Sequence, residues 1–125
     1  MAGPKILVVD DEENILRLIR SGLEGHGYDV STRANGLEAL LFIEDVKPHL
    51  IIADIMMPRL SGIDLLKALK NKNETRNIPV IFLSAMDEAM MVQKGLDMGA
   101  VDYITKPFKV SEVVGKIRHY TNFTA

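Results

Sequence analysis

Asp10, Asp11, Asp54, Ser84 and Lys106 are the side chains of this 125-residue protein whose types and positions could do chemistry together. Ile6-Leu7-Val8-Val9 runs into Asp10-Asp11, Leu50-Ile51-Ile52-Ala53 into Asp54, and Val80-Ile81-Phe82-Leu83 into Ser84. A fourth segment, Val101 to Ile104, ends just before Thr105 and Lys106-Pro107. Like-charged carboxylates in one place raise each other's pKa unless a cation offsets them. The Asp10-Asp11 pair alone reads equally well as a helix cap plus a solvated acid. Asp54 resists that reading, because an acid that directly ends a buried strand is desolvated with no capping role. Together they call for a hard divalent cation with oxygen ligands, and Mg²⁺ fits best, since it takes one or two carboxylates and bridges to phosphate oxygens. Lys106 adds a point charge suited to a phosphoryl group, although a lone lysine is ordinarily a solvated surface residue. Ser84 could donate its hydroxyl to a phosphoryl oxygen or merely cap the next turn. A metal, a carboxylate nucleophile, an ammonium and a hydroxyl are the parts needed to attack phosphorus, with an aspartyl phosphate on Asp54 as product.

These groups meet only if the elements before them run the same way. Short continuous apolar runs that alternate with helical patterns read as buried strands of a parallel sheet, whose following residues share one edge. Open α/β sheets place their ligand sites at that edge. The chain repeats strand and helix five times. Helices are expected from Glu12 to about Gly25, with Asp11 as its cap, from about Gly36 to Val46, from about Ile63 through Lys72, from about Glu88 to Met98, and from about Val110 onward. Strands are expected at Ile6 to Val9, Tyr28 to Arg33, His49 to Asp54, Ile78 to Leu83 and, very short, Val101 to Ile104. The second strand is the more polar and belongs near a sheet edge. The last helix is the cleanest amphipathic element, with Val110, Val113, Val114 and Ile117 on one stripe. The fold class is therefore α/β, a doubly wound parallel sheet with helices on both faces and a single domain over residues 1–125.

The gross numbers restrict function further. An apolar share of 47% and a charged share of 26% are those of a soluble globular protein. A net charge of −2 without a Lys/Arg cluster offers no footprint for nucleic acid. The absence of cysteine excludes a disulfide framework, a thiolate metal site and a thiol nucleophile. No apolar stretch approaches the ~18 residues of a membrane span. With the first strand beginning so early, no leader is expected, and cytoplasmic residence is the expectation.

The motifs Val9-Asp10-Asp11, Asp54-Ile55-Met56-Met57-Pro58-Arg59-Leu60-Ser61-Gly62, Ser84-Ala85 and Asp102-Tyr103-Ile104-Thr105-Lys106-Pro107-Phe108 together resemble the receiver domains of bacterial two-component response regulators. The resemblance runs from Lys5 to about Tyr120 and is closest in extent to the single-domain chemotaxis type. It implies a flavodoxin-like strand order of 2-1-3-4-5. It implies Asp54 as the phosphoacceptor, supplied by a sensor histidine kinase or a phosphotransfer protein. Asp11, Asp54 and the backbone carbonyl of Met56 would be Mg²⁺ ligands, with Asp10 orienting the metal through water and Mn²⁺ able to substitute. Lys106 would pair with the phosphoryl group, Ser84 would be the switch hydroxyl beside the Ala85 amide, and Tyr103 the switch aromatic. A cis Lys106-Pro107 bond is implied as well. The output would be a changed surface on the fourth helix, fifth strand and fifth helix, acting on a downstream domain or target or through a phosphorylation-dependent dimer.

Several features fall outside that pattern. The switch position carries Ser84 where many relatives carry Thr, which keeps the hydroxyl and loses a methyl. Met56 and Met86, two residues beyond Asp54 and Ser84, either shield the phosphoryl group from water or simply fill space. The fourth helix is expected to bury Ala89, Val92 and Leu96 and to turn Met90 or Met91 outward. His26, His49 and His119 share no motif and receive no role. Three other functions compete. A flavodoxin-like cofactor module needs a phosphate-cradling loop after the first strand, where Asp10-Asp11-Glu12-Glu13 would repel a phosphate unless a metal intervened. A phosphatase of the haloacid dehalogenase type, with a Mg²⁺-dependent aspartyl intermediate, needs an Asp-x-Asp pair after the first strand, where this chain has adjacent acids. A receiver-like interaction module without phosphorylation would lack a core residue, and none is missing here.

Overall fold

In a strand, residues i and i+2 face the same side, so each apolar run feeds two cores at once. Leu7, Val9, Ile51, Ala53 and Phe82 enter one core, while Ile6, Val8, Leu50, Ile52, Ile81 and Leu83 enter the other. The computed structural model, which describes residues 3–123, realises this with five strands and five helices. These are β1 (Lys5–Val9), α1 (Glu13–Glu24), β2 (Asp29–Arg33), α2 (Gly36–Val46), β3 (Leu50–Asp54), α3 (Gly62–Lys70), β4 (Val80–Ser84), α4 (Ala89–Asp97), β5 (Asp102–Thr105) and α5 (Val110–Thr121). All pairings are parallel and the order is β2-β1-β3-β4-β5. The doubly wound α/β fold and the order 2-1-3-4-5 expected from the sequence are what the molecule adopts.

One core takes Ala39 and Ile43 of α2, Leu65, Leu66 and Leu69 of α3 and Val92 of α4. The other takes Leu16, Ile19 and Leu23 of α1 with Val113, Val114 and Ile117 of α5. The polar strand β2 does lie at an edge. Boundaries shift by a few residues where backbone pairing, not side-chain type, decides. β4 begins at Val80 and runs through Ser84, and β5 is displaced from the apolar run to Asp102–Thr105, because Ser84 pairs with Thr105 in the ladder. α3 stops at Lys70. In α4 the buried positions are Val92 and Gly95; Ala89 is exposed, contrary to expectation, because the helix packs Gly95 directly onto the Phe82 ring and so rotates its first turn outward. Met90 is the methionine that faces solvent, at 88% exposure.

The close approach that most constrains the C-terminal sheet edge is at Gly62. Its amide donates to the Ile55 carbonyl at 3.1 Å, and a Cβ there would sit 2.6 Å from the Asp54 carbonyl oxygen and 3.0 Å from the Ile55 Cα. Backbone atoms cannot rotate away as a side chain can. Gly62→Ala is therefore expected to destabilise the protein by about 1–3 kcal/mol. In urea the unfolding midpoint should fall while the m-value stays unchanged; an unaltered midpoint would show that the β3–α3 loop yields freely.

Candidate functional site

The ladder carries each chemical residue to the same edge. Val9 pairs with Ala53, Asp54 with Leu83, and Ser84 with Thr105, so the ends of β1, β3, β4 and β5 are aligned. The hydrogen bonding continues past the strands. Asp10 donates its amide to the Arg33 carbonyl at 3.2 Å, Ile55 to Leu83 at 2.9 Å and Lys106 to Ser84 at 2.7 Å. Asp10 and Lys106 are thus fixed by backbone before their side chains interact. The Lys106-Pro107 peptide is cis, as the family resemblance implies.

At this edge the Lys106 ammonium is shared by three acids. Its Nζ lies 3.0 Å from Asp54 Oδ2, 3.0 Å from Asp10 Oδ2 and 3.3 Å from Glu12 Oε1. Asp10 is completely buried, and Asp54 is 6% exposed. Asp10 Oδ1 accepts from the Glu12 amide at 2.9 Å and Asp54 Oδ1 from the Met56 amide at 3.2 Å. Asp10 Oδ2 has no directed hydrogen bond, so its only compensation is the ion pair with Lys106. Burial pushes the Asp10 carboxyl up to about 6; the Glu12 amide and Lys106 offset only part of that, and Asp54 adds repulsion. Burial works against the Lys106 ammonium too, but its pairing with Asp10 and Asp54 outweighs it and holds its pKa well above the ordinary lysine range.

Two sequence expectations change here. Asp11 does not cap α1. Glu12 occupies the N-cap position without a side-chain cap, and its own amide donates to Asp10 Oδ1. Asp11 is exposed and stands outside the carboxylate cluster, along an open cleft of about 550 Å³ on the α1–β2 side. The acids whose oxygens lie within 4.8 Å of one another are Asp10, Glu12 and Asp54. Glu12 is the acid of this cluster that sequence reasoning missed. Its signal was the acidic run Asp10 to Glu13, of which the residue opening the helix turns back toward the strand ends.

Ser84 is buried at 1% exposure, whereas Tyr103 is 42% exposed. Both line a cleft of about 400 Å³ with Ala85, Met86, Ala89 and Val92, between α4 and β5. The Ala85 amide, which follows Ser84, donates to Glu88 Oε1 at 2.6 Å. Met56 and Met86 are 50% and 81% exposed at the same edge. Asp102 ties β5 to α5 beneath Tyr103. Its Oδ2 accepts from Lys116 Nζ at 2.9 Å and from the Tyr120 hydroxyl at 3.1 Å, and its Oδ1 from the Tyr103 amide at 2.8 Å. Burial raises the Asp102 pKa, but these donors together hold it below the usual carboxylate value. Of the histidines, His49 accepts the Lys5 amide at 2.9 Å and His26 bonds the Gly22 carbonyl at 3.1 Å, which are local structural contacts remote from the acids.

Among the described residues, no helix is long and apolar enough to cross a membrane. The family model for the response regulator receiver domain matches residues 6–118. The protein PilG of Pseudomonas aeruginosa is 40% identical over 123 residues, covering 98% of this chain and 91% of that protein. The alkaline phosphatase synthesis transcriptional regulatory protein PhoP of Bacillus subtilis is 46% identical over 114 residues, covering 91% of this chain and 47% of PhoP. The chain thus spans about half the length of PhoP and of several other curated relatives it matches. Among solved structures, the receiver domain of the Francisella response regulator 1452 superposes with a TM-score of 0.88 at 39% identity, covering 96% of this chain and 98% of that one. With nearly the whole chain matched in sequence and in fold, and an acidic edge built around one lysine, this protein belongs to the response regulator receiver domains of two-component signalling.

Proposed function

We propose that the protein is a phosphorylation-driven switch, in which Asp54 accepts a phosphoryl group from a sensor histidine kinase or a phosphotransfer protein. The observation that carries this reading is the placement of Asp54: a carboxylate at the dry end of β3, with one oxygen on Lys106 Nζ at 3.0 Å and the other on a backbone amide. Asp54 Oδ attacks phosphorus, the bond to the donor's leaving group breaks, and the aspartyl phosphate remains. Lys106 then exchanges its contact with the carboxylate for one with a phosphoryl oxygen, and Ser84 offers its hydroxyl to another.

The residues fit a divalent cation. Asp10 Oδ2 is buried without a directed hydrogen bond, and three carboxylates share one ammonium, so a hard cation completes the charge balance. Asp10, Asp54 and the Met56 carbonyl would hold Mg²⁺ or Mn²⁺, with Asp11 joining after rotation from its exposed position and Glu12 as the alternative acid. When bound, the ion offsets the charge of carboxylates and phosphoryl oxygens. The output reading is a shift of Ser84 toward the phosphoryl group, which opens room for Tyr103 in the adjoining cleft and alters the α4-β5-α5 face seen by an output domain, a target protein or a second copy.

Three measurements test this reading. Incubation with acetyl phosphate and Mg²⁺ is expected to add one phosphoryl group by intact mass, and Asp54→Asn or chelation should abolish it; labelling of the Asn variant at the parent rate would defeat the assignment. Met86→Glu is expected to shorten the lifetime of the acyl phosphate by admitting and orienting water beside it; an unchanged decay rate means that the methionine only fills space. The third concerns pH. An acid whose pKa is raised on folding, from 3.8 to about 6 for Asp10, binds more protons folded than unfolded, so in chelator stability should decline as pH rises through that window. Asp10→Asn should flatten the decline, and Mg²⁺ should oppose it in the parent. A parent whose pH profile in that window is indifferent to both contradicts the strain assigned to Asp10.

A further inference from the structure

Pro58, Arg59 and Leu60 form a three-residue turn in which the Leu60 amide donates to the Pro58 carbonyl at 2.9 Å, with Arg59 at φ +71°. A γ-turn with positive φ at its centre is the rare, strained form, and a long side chain lacks the local bonding that lets Asn or Asp adopt it. The surroundings impose the strain. The Leu60 carbonyl is pressed so close to the start of α2 that a Cβ on Gly36 would come within 2.6 Å of it. Gly62 is bonded back to Ile55, and the Ser61 hydroxyl caps α3 by accepting from the Asp64 amide at 3.1 Å. Arg59 therefore stands at the apex of a loop pinned at both ends. It is separated from Gly62 by at most about 11 Å of chain, and Gly62 is bonded to the residue after Asp54. A strained non-glycine conformation held beside a functional site points to a use for its side chain.

The charge distribution suggests the use. Asp10, Asp11, Glu12, Glu13 and Asp54 gather at this edge, so an anionic phosphoryl donor approaches a negative field. The available cations are mostly committed. Lys106 is shared by three carboxylates, and Arg33 donates to the Thr32 carbonyl while lying 4.3 Å from the Phe42 ring centroid. Arg59 is exposed and makes no ion pair with any described residue. We propose that Arg59 is a donor-binding residue, whose guanidinium fork receives the phosphate oxygens of an anionic phosphoryl donor and guides its phosphorus to Asp54. The inference rests on Asp54 as phosphoacceptor. With acetyl phosphate as donor, Asp54 Oδ bonds to phosphorus, the acyl P–O bond breaks and acetate leaves with the bonding electrons.

The test uses the full chain with acetyl phosphate and Mg²⁺ at low and high ionic strength, comparing the parent with Arg59→Gln, Arg59→Lys and Arg59→Gly. At low salt, Arg59→Gln is expected to lower the second-order labelling rate about three- to sevenfold, the effect in water of a unit charge roughly 7 Å from a mono- or dianion. The gap should close near 1 M salt, where the screening length falls to about 3 Å. Arg59→Lys should retain most of the rate. Arg59→Gly should lose it while melting no lower than the parent, because the turn is relieved, which separates lost guidance from lost folding. Equal rates for parent and Arg59→Gln at low salt, or a gap indifferent to salt, overturn the role of Arg59 and leave the phosphoacceptor reading intact. A parent that takes no label overturns both.

Discussion

Holding Asp10 and Asp54 at the dry end of a parallel sheet costs free energy that the amides of Glu12 and Met56 offset only in part, and the cation the chain itself adds is Lys106. Its ammonium lies 3.0 Å from each of those carboxylates and 3.3 Å from Glu12. A buried ion pair of this kind is weak evidence for stability, since desolvation opposes the Coulomb attraction. The arrangement is instead a store of unfavourable electrostatics, registered in the Asp10 carboxyl being pushed up to about 6. Under the proposed reading, a hard cation or phosphoryl group that enters would meet carboxylates already buried at the strand ends. The sheet makes this arrangement durable: Asp10 and Lys106 are fixed through their own amides to the neighbouring strands, so they cannot drift apart to relieve repulsion.

That constraint explains which parts of the molecule were legible in the sequence. A strand buried on both faces must be apolar throughout, and so β1, β3 and β4 stand out as uninterrupted runs that end where the sheet ends. Since parallel strands share a direction, the residues that stop the runs are necessarily neighbours. The fold class and the convergence of Asp10, Asp54 and Lys106 follow from that inference, with Ser84 carried to the same sheet edge, while the edge position of β2 follows from its polarity. The boundaries of β4 and β5 were less legible, because Ser84 and Thr105 pair through backbone groups that every residue carries.

The identity of the third acid was not legible at all. Asp11 and Glu12 are adjacent, equally charged and equally suited to a metal, and nothing in their types says which turns inward. The choice is made by Asp10, whose Oδ1 captures the Glu12 amide and so sets the first turn of α1. With that amide taken, the Glu12 carboxylate reaches back to Lys106 and Asp11 is left facing solvent. The rotation of Ala89 out of the core has a similar origin, in a contact between Gly95 and Phe82 across some thirteen residues. One is a capture between residues two apart and the other a contact between a helix and a strand, and periodicity encodes neither.

The same edge also contains groups held in reserve. Ser84 is buried, Tyr103 is largely outside, and a cleft of about 400 Å³ lies between them. The Ala85 amide is occupied by Glu88. β5 itself is not free to follow a moving side chain, because Asp102 anchors it to Lys116 and Tyr120 of α5. A change at Asp54 would therefore be transmitted less easily by sliding β5 than by re-seating the Tyr103 ring and releasing the Ala85 amide from Glu88. Under the proposed reading, the firm strand and the loose side chains divide the labour: the Asp102 network keeps the α5 end of the face constant, and the α4 end, with its exposed Met86 and Met90, is where two arrangements differ. Such a division suits a two-state surface, since a small free-energy input is concentrated on the few contacts able to change.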